Sequence, residues 1–487
     1  MKKSVLLIGV ALFAISAKKP DVLPTAQPMT AKDKQVGAKA HTEILQEFGG
    51  AYTGPQANYV RTIGQKIAVQ SGLSNSQSDF TVTLINSPVN NAFAVPGGYV
   101  YVTRQLLALM NNEAELASVL GHEVGHVAAR HSAKRQSRAQ MGGLAAAGAT
   151  ILGAVLGGSQ GAQLGQQLGG QLATRWVLGF SRAQEYQADD LGITYLAKGG
   201  YDPMAASAML ASLAAQSSLD ARAQGRDEKA LPQWASTHPD PASRVVRAQQ
   251  KANISGGTGK TQNRDAFLNA LDGVLYDDDP KQGVVDGRTF RHPDLKLAFT
   301  APAGFAMVNS PDAVTVTGST GRASFAGTKY DGNLRGYLDG EFAAIAKQNN
   351  VQITPTSVEN LTINGVPAIR GFAEVAGQSG PMIVSVYAYE FAKDQGYHIF
   401  SLTQAANRAV FDSLFQSVRR LSAQEASLIK PRVIDVVTVK PTDTVDKLAQ
   451  RMAYDTTQGE RFRVLNGLKS GDTLKSGQRV KLVVYQQ

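Results

Sequence analysis

Two imidazoles four residues apart, with a carboxylate beside the first, stand at His122-Glu123-Val124-Gly125-His126. On a helix, residues i and i+4 share one face, so both rings can reach a single zinc ion. Glu123 sits where it can take a proton from a metal-bound water, which is the arrangement of metal-assisted hydrolysis. The chain contains no cysteine. Disulfides, thiolate catalysis and Cys-ligated zinc are thereby excluded, and any metal site must be built from His, Glu and Asp.

Such a site needs a third protein ligand. The segment Ser181-Arg182-Ala183-Gln184-Glu185-Tyr186-Gln187-Ala188-Asp189-Asp190-Leu191-Gly192 offers Glu185 and Asp189, again four apart on one helix face. One carboxylate can bind the metal while the other accepts a hydrogen bond from the free N–H of a ligand histidine. Farther along, Ser236-Thr237-His238-Pro239 is followed by Pro241 and Arg244, a stiff loop carrying one histidine.

These motifs in this order, with Asn91-Ala92-Phe93-Ala94-Val95-Pro96-Gly97-Gly98 ahead of them, resemble the HtpX-type and BepA-like zinc metalloendopeptidases, relatives of the CAAX prenyl proteases. The resemblance spans about residues 40–250. It implies a mainly helical, zincin-like (gluzincin) domain holding one Zn2+ through His122, His126 and Glu185. Glu123 would then be the general base, and Asp189 would support a ligand histidine from behind. Asn91, Ala92, Phe93 and Ala94 would form the strand that pairs with the backbone of an extended substrate. The counterpart of His238 lies near the metal, where it either stabilises the oxyanion or caps the open position. Arg244 would anchor its loop, and loop movement would gate activity. His131, just past the motif, is expected to be structural.

The elements that must position these groups have their own signals. Asn111-Asn112 can cap the helix that carries His122, and Glu113 and Glu115 favour its N-terminal dipole end. Phe80–Ile85 reads as a strand, and Ala92–Val95 and Tyr99–Val102 as a hairpin about Pro96-Gly97-Gly98.

Between the two ligand segments, Ala139 to Thr174 carries no charge. Small residues recur at every fourth position (Ala145, Ala149, Gly153, Gly157, Gly161, Gly165, Gly169, Ala173), with leucines one step earlier. Such a ridge permits close helix approach, so 142–172 is expected to be a helical hairpin packed on the peptidase or a membrane-contacting or substrate-guiding arm. Gln160, Gln163, Gln166, Gln167 and Gln171 argue against its second half crossing a membrane.

Met1-Lys2-Lys3 is followed by fourteen uncharged, mostly apolar residues ending in Ser16-Ala17, the form of a secretory signal peptide. The excess of 49 Lys and Arg over 39 Asp and Glu, a charge of +10, points to anionic partners such as membrane surfaces or cell-wall polymers. No nucleic acid is expected among the partners.

The C-terminal block resembles a LysM domain. Val436–Val439 reads as a strand, Thr442-Asp443-Thr444 as a cap for a helix holding Val445, Leu448 and Ala449, and Val480-Lys481-Leu482-Val483 as the closing strand. That resemblance implies binding to N-acetylglucosamine polymers such as peptidoglycan. The first strand lacks an aromatic residue. The middle region has alternating strands and one helix near Gly336–Gln348, without a convergent acid, base or nucleophile pattern. Around Phe299-Thr300-Ala301-Pro302-Ala303-Gly304-Phe305 it resembles the PsbP-like α/β sandwiches.

The expected organisation is an α+β multidomain chain. A signal peptide (1–17) and linker (18–38) precede a zinc metallopeptidase domain (39–253). A linker and helix (254–284), an α/β sandwich-like domain (285–425) and a βααβ LysM-like domain (433–487) follow. The expected function is an exported, periplasmic zinc endopeptidase for misfolded or unassembled envelope proteins. The alternative is a peptidoglycan-binding scaffold or chaperone with a latent zinc site.

Overall fold

Helix α1 (Ala31–Glu47) starts where Thr30 and Asp33 cap one another, the Asp33 N–H donating to the Thr30 hydroxyl and the Thr30 N–H to the Asp33 carboxylate. It therefore begins inside the stretch 18–38 expected as a linker. The prolines that suggested a tether end at Pro28, and the capping pair follows at once. The computed structural model describes residues 26–132, 180–223, 238, 241–256, 261–349, 351–377 and 380–487. The signal-peptide segment 1–17 and the small-residue segment 142–172 lie outside them. Among the described residues no helix is long and apolar enough to cross a membrane.

In the first domain α2 (Pro55–Ala68) leads to strands β1 (Thr81–Ile85), β2 (Ala92–Val95) and β3 (Tyr99–Thr103). β1 runs parallel to β3 and β2 antiparallel to it, in the order β1-β3-β2, so β2 is an edge. Gly37 of α1 faces the Pro96 carbonyl and the Tyr99 ring, where a Cβ would overlap both, so α1 lies on the β2–β3 turn. After α3 (Arg104–Leu109) comes α4 (Glu113–Ala128), capped by Asn112, whose side chain accepts from the Glu115 N–H at 2.9 Å. Helices α5 (Arg182–Lys198), α6 (Ala205–Ala223) and α7 (Pro241–Ile254) complete the domain.

Glycines decide how closely α4 and α5 approach. A Cβ on Gly192 would meet the His122 backbone nitrogen at 3.0 Å, and one on Gly125 the Ala188 carbonyl at 3.1 Å. The two backbones are therefore in near contact. The face of α5 bearing Glu185 and Asp189 is brought against the face of α4 bearing His122 and His126.

The stretch expected as linker and helix holds α8 (Arg264–Leu271) and a short strand, β4 (Leu275–Tyr276). The middle domain packs a four-stranded sheet, with β5 (Val284–Asp286), β6 (Thr289–His292), β7 (Leu297–Thr300) and β15 (Arg419–Arg420), on a seven-stranded one. The larger sheet contains β8 (Ala306–Asn309), β9 (Ala313–Gly318), β10 (Gly321–Thr328), β11 (Ser357–Ile363), β12 (Val366–Gly377), β13 (Gly380–Ala392) and β14 (Gln395–Gln404), in the order β11-β12-β13-β14-β10-β9-β8. Phe290 and Phe299 from one sheet meet Phe325 and Tyr389 from the other in a single core. Helix α9 (Leu334–Asn349) covers the far face of the larger sheet through Leu338 and Phe342.

The C-terminal domain has β16 (Arg432–Thr438), α10 (Val445–Ala449), α11 (Gln458–Leu465) and β17 (Arg479–Tyr485). Its sheet is not two-stranded as the βααβ reading expects. β4 adds to β16, with Tyr276 opposite Arg432, in the order β17-β16-β4. One continuous apolar cluster runs from Val60, Leu116 and Leu120 of the first domain to Phe462, Leu465 and Leu482 of the third. Burial of this kind contributes about 25 cal/mol per Å2 of apolar surface, so the two domains are held together rather than strung on a tether.

Candidate metal centre

His122 and His126 project from adjacent turns of α4, and their Nε2 atoms lie 3.0 Å apart. From α5, the Glu185 carboxylate reaches to 3.5 Å from His122 Nε2 and 3.4 Å from His126 Nε2. His238, carried just ahead of α7, places its Nδ1 3.2 Å from Glu185 and 3.4 Å from His122 Nε2. All four side chains are buried. A tetrahedral ion with bonds of about 2.0–2.1 Å would hold its ligand atoms about 3.3 Å apart. One ligand atom from each of the four residues lies within 4.8 Å of the others, so the donor set fits a metal ion with no cysteine needed.

The surrounding groups hold these ligands in place. Asp189 Oδ1 lies 3.0 Å from His122 Nδ1, an ion-pair distance on the side of the ring opposite the Nε2 that faces the centre. Arg244 of α7 grips Asp189 twice, Nε to Oδ2 at 2.8 Å and Nη2 to Oδ1 at 2.7 Å, and its Nη1 lies 2.6 Å from Glu185 Oε2. One guanidinium thus ties the candidate ligand Glu185 to the partner of the candidate ligand His122. Arg247 makes a second pair with Asp190, at 2.5 and 2.7 Å.

Electrostatics follow from this packing. Burial works against ionisation of Asp189, yet Arg244 and His122 hold its carboxyl at about 2. Burial likewise opposes the Glu185 carboxylate, and His238, His122 and Arg244 outweigh it and hold Glu185 well below the usual carboxylate range. His122 is pulled down by burial but lifted to about 9 by its bonds to Asp189 and Glu185. Burial lowers His126 far below the ordinary imidazole value. Glu123, buried and 3.6 Å from His238 Nε2, is pushed up by burial.

Glu123 is on the same turn as His122 and is not among the four converging ligand residues. A cavity beside it is lined by Val119, Ile193, Met209, Leu210 and Leu213. The edge strand β2 packs against α4. Asn91, Ala92 and Phe93 are buried and Ala94 is partly exposed. The Phe93 ring stacks on Tyr101 at 4.8 Å and packs toward Phe48 of the α1 cluster, so β2 can offer an extended peptide its backbone edge but not that ring.

Three contributors were not read as site residues from the sequence. His131 Nδ1 lies 2.9 Å from His126 Nδ1, and its Nε2 lies 2.8 Å from Gln187 Oε1. The Phe180 ring stacks on His126 with centroids 3.9 Å apart. The available signal was spacing alone: His131 is five residues beyond His126, and Gln187 two beyond Glu185.

Comparison with known proteins agrees with this geometry. The profile of peptidase family M48 matches residues 55–252, and that of the LysM domain residues 437–483. A beta-barrel assembly-enhancing protease from Yersinia pestis is 34% identical over 197 residues, 40% of this chain and 38% of the relative. The mitochondrial metalloendopeptidase OMA1 of Schizosaccharomyces pombe is 30% identical over 221 residues, 45% of this chain and 60% of the relative. The chain thus spans less than two thirds of either relative. The solution structure of cyanobacterial PsbP from Synechocystis sp. PCC 6803 is matched over 27% of this chain and 91% of its own, at 12% identity and a TM-score of 0.23, too low to give the likeness weight. Helix α4, the Glu185 helix and His238 all fall inside the first of these matches, and residues 55–252 are a peptidase family M48 domain, joined in one polypeptide to a LysM domain.

Proposed function

We propose that this protein is an exported zinc-dependent endopeptidase that degrades misfolded or unassembled proteins of the cell envelope. The observation that carries the reading is the convergence of His122, His126, Glu185 and His238 beside a fifth buried group, Glu123. When bound, zinc would polarise the scissile carbonyl and acidify water. Glu123 takes the proton of the attacking water and returns it to the leaving amine nitrogen, a task suited to a carboxylate whose affinity for protons is raised by burial. The β2 edge aligns an extended peptide by backbone pairing.

His238 stands where a fourth ligand would, which supports a gate over an oxyanion donor in the resting state. A catalytic zinc keeps one position open, whereas four protein ligands close it. Withdrawal of His238 would admit water and substrate. The signal-peptide pattern and the LysM match support a periplasmic location and contact with peptidoglycan.

The test is turnover of an unfolded protein such as casein by zinc-loaded protein, beside Glu123→Gln. Turnover by the first and none by the second is expected. Equal activity in both would remove the base assignment. Silence from both would favour the latent scaffold, a reading that rests on the closed position of His238.

A further inference from the structure

Lys481 of β17 is fully buried, in a strand whose neighbours Val480 and Leu482 are buried as well. Its ammonium donates to the carbonyls of Ala108 at 2.7 Å, Leu109 at 3.3 Å and Met110 at 2.5 Å. These are the last carbonyls of α3 and the residue after it, which the helix itself leaves without donors. A lysine there satisfies them and meets the negative end of the helix dipole. Lysine is almost never buried without help for its charge; here burial pushes the ammonium well below its ordinary range, and Glu115, in the first turn of α4, acts against that push.

Glu115 is built into the start of that helix. Its carboxylate accepts from the Asn111 N–H at 2.8 Å and from the Asn112 side chain at 3.0 Å. Arg264 of α8, the other cation facing this cluster, bridges the same two domains: Nη1 donates to the Asn111 carbonyl at 2.7 Å and Nη2 to the Arg479 carbonyl at 3.1 Å. On the LysM side Asn466 holds the Lys481 backbone from both directions, at 2.7 and 2.9 Å. The loop between α3 and α4, which sets where the His122 helix begins, is thus held by Lys481, at least 371 residues away in sequence, and by Arg264, 153 residues away.

We propose that the LysM domain is a clamp on the metal-bearing helix, and that Lys481 is its positioning residue. Lys481 caps the end of α3 and so fixes the α3–α4 loop from which the first turn of α4 starts, and with it the height at which His122 and His126 face Glu185. The LysM domain is then part of the peptidase's architecture in addition to any glycan it binds, and metal affinity depends on its being seated. This rests on the reading of His122 and His126 as metal ligands.

The test compares the full chain, its Lys481→Met variant and the double variant Lys481→Met with Glu115→Gln, which removes both buried ionisable groups together. Amide hydrogen exchange without metal is read at residues 113–120. In Lys481→Met, exchange there should quicken at least about tenfold, and the double variant should recover part of the protection because no buried ionisable group is left without its partner. Zinc affinity should fall about tenfold in Lys481→Met, as for loss of an orienting partner. Unchanged exchange at 113–120, or unchanged zinc affinity, in either variant that folds would overturn the clamp. If the wild type itself bound no zinc, the metal centre would fail while the exchange comparison still decided the clamp.

Discussion

His131 Nδ1 stands 2.9 Å from Nδ1 of His126, on the side of the ring turned away from Glu185 and His122. With His126 Nε2 facing the centre, its Nδ1–H donates to His131, and His131 Nε2–H donates in turn to Gln187 Oε1 at 2.8 Å. The chain fixes the tautomer and tilt of a ligand, as a carboxylate or carbonyl does in other metal sites. His131→Ala should weaken zinc binding about tenfold or more in a competition titration with a chromophoric chelator. Equal affinity in the two proteins would leave His131 as packing only.

Glu123 lies outside the ligand set, so Glu123→Gln separates binding from chemistry. Turnover should drop by about a hundredfold or more, the usual contribution of a general base. Metal content, measured by mass spectrometry of the purified protein, should stay at the wild-type value.

The gate makes an opposite prediction. His238→Ala leaves three protein ligands and one open position, so peptide turnover should rise several-fold while zinc dissociates faster. A fall in turnover with unchanged zinc release would instead assign His238 to the oxyanion.

The Asp189–Arg244 pair sets an acid limit. The folded carboxyl titrates at about 2 against an ordinary 3.8, so the folded state favours the ionised form. Its contribution of about 2 kcal/mol is therefore fully present above pH 3.8 and is lost as pH falls toward 2. Urea unfolding of metal-free protein should show wild type more stable than Asp189→Asn by about that amount at pH 5 to 7, with the difference shrinking toward pH 2. A difference constant across that range would mean that the stability comes from packing.

Close approach of α4 and α5 is equally exposed to mutation. Gly192→Ala places a methyl 3.0 Å from the His122 nitrogen. It should cost about 1–3 kcal/mol of stability through overpacking and weaken zinc binding by shifting Glu185. Thermal unfolding with and without zinc measures both effects.

The ligand helix was legible in the sequence because its information is local. His122 and His126 repeat at four residues, as do Glu185 and Asp189, and Asn112 with Glu115 marks the start of α4. Local signals also mislead where composition covers them, as the prolines before Thr30 did for α1. The two-residue strand β4 carries too little pattern to be read at all, yet it closes the LysM sheet.

What lies beyond local pattern was settled only by packing. Nothing in the spacing says that Gln187 reaches His131 or that Arg244 grips Asp189 and Glu185 together, because those contacts join different helices. Lys481 is the sharpest case. Alternation along Val480-Lys481-Leu482 places the lysine on the solvent side of a half-buried strand. In the folded chain the peptidase domain covers that second face as well, and the charge that a strand period assigns to water is instead held by the carbonyls of Ala108, Leu109 and Met110.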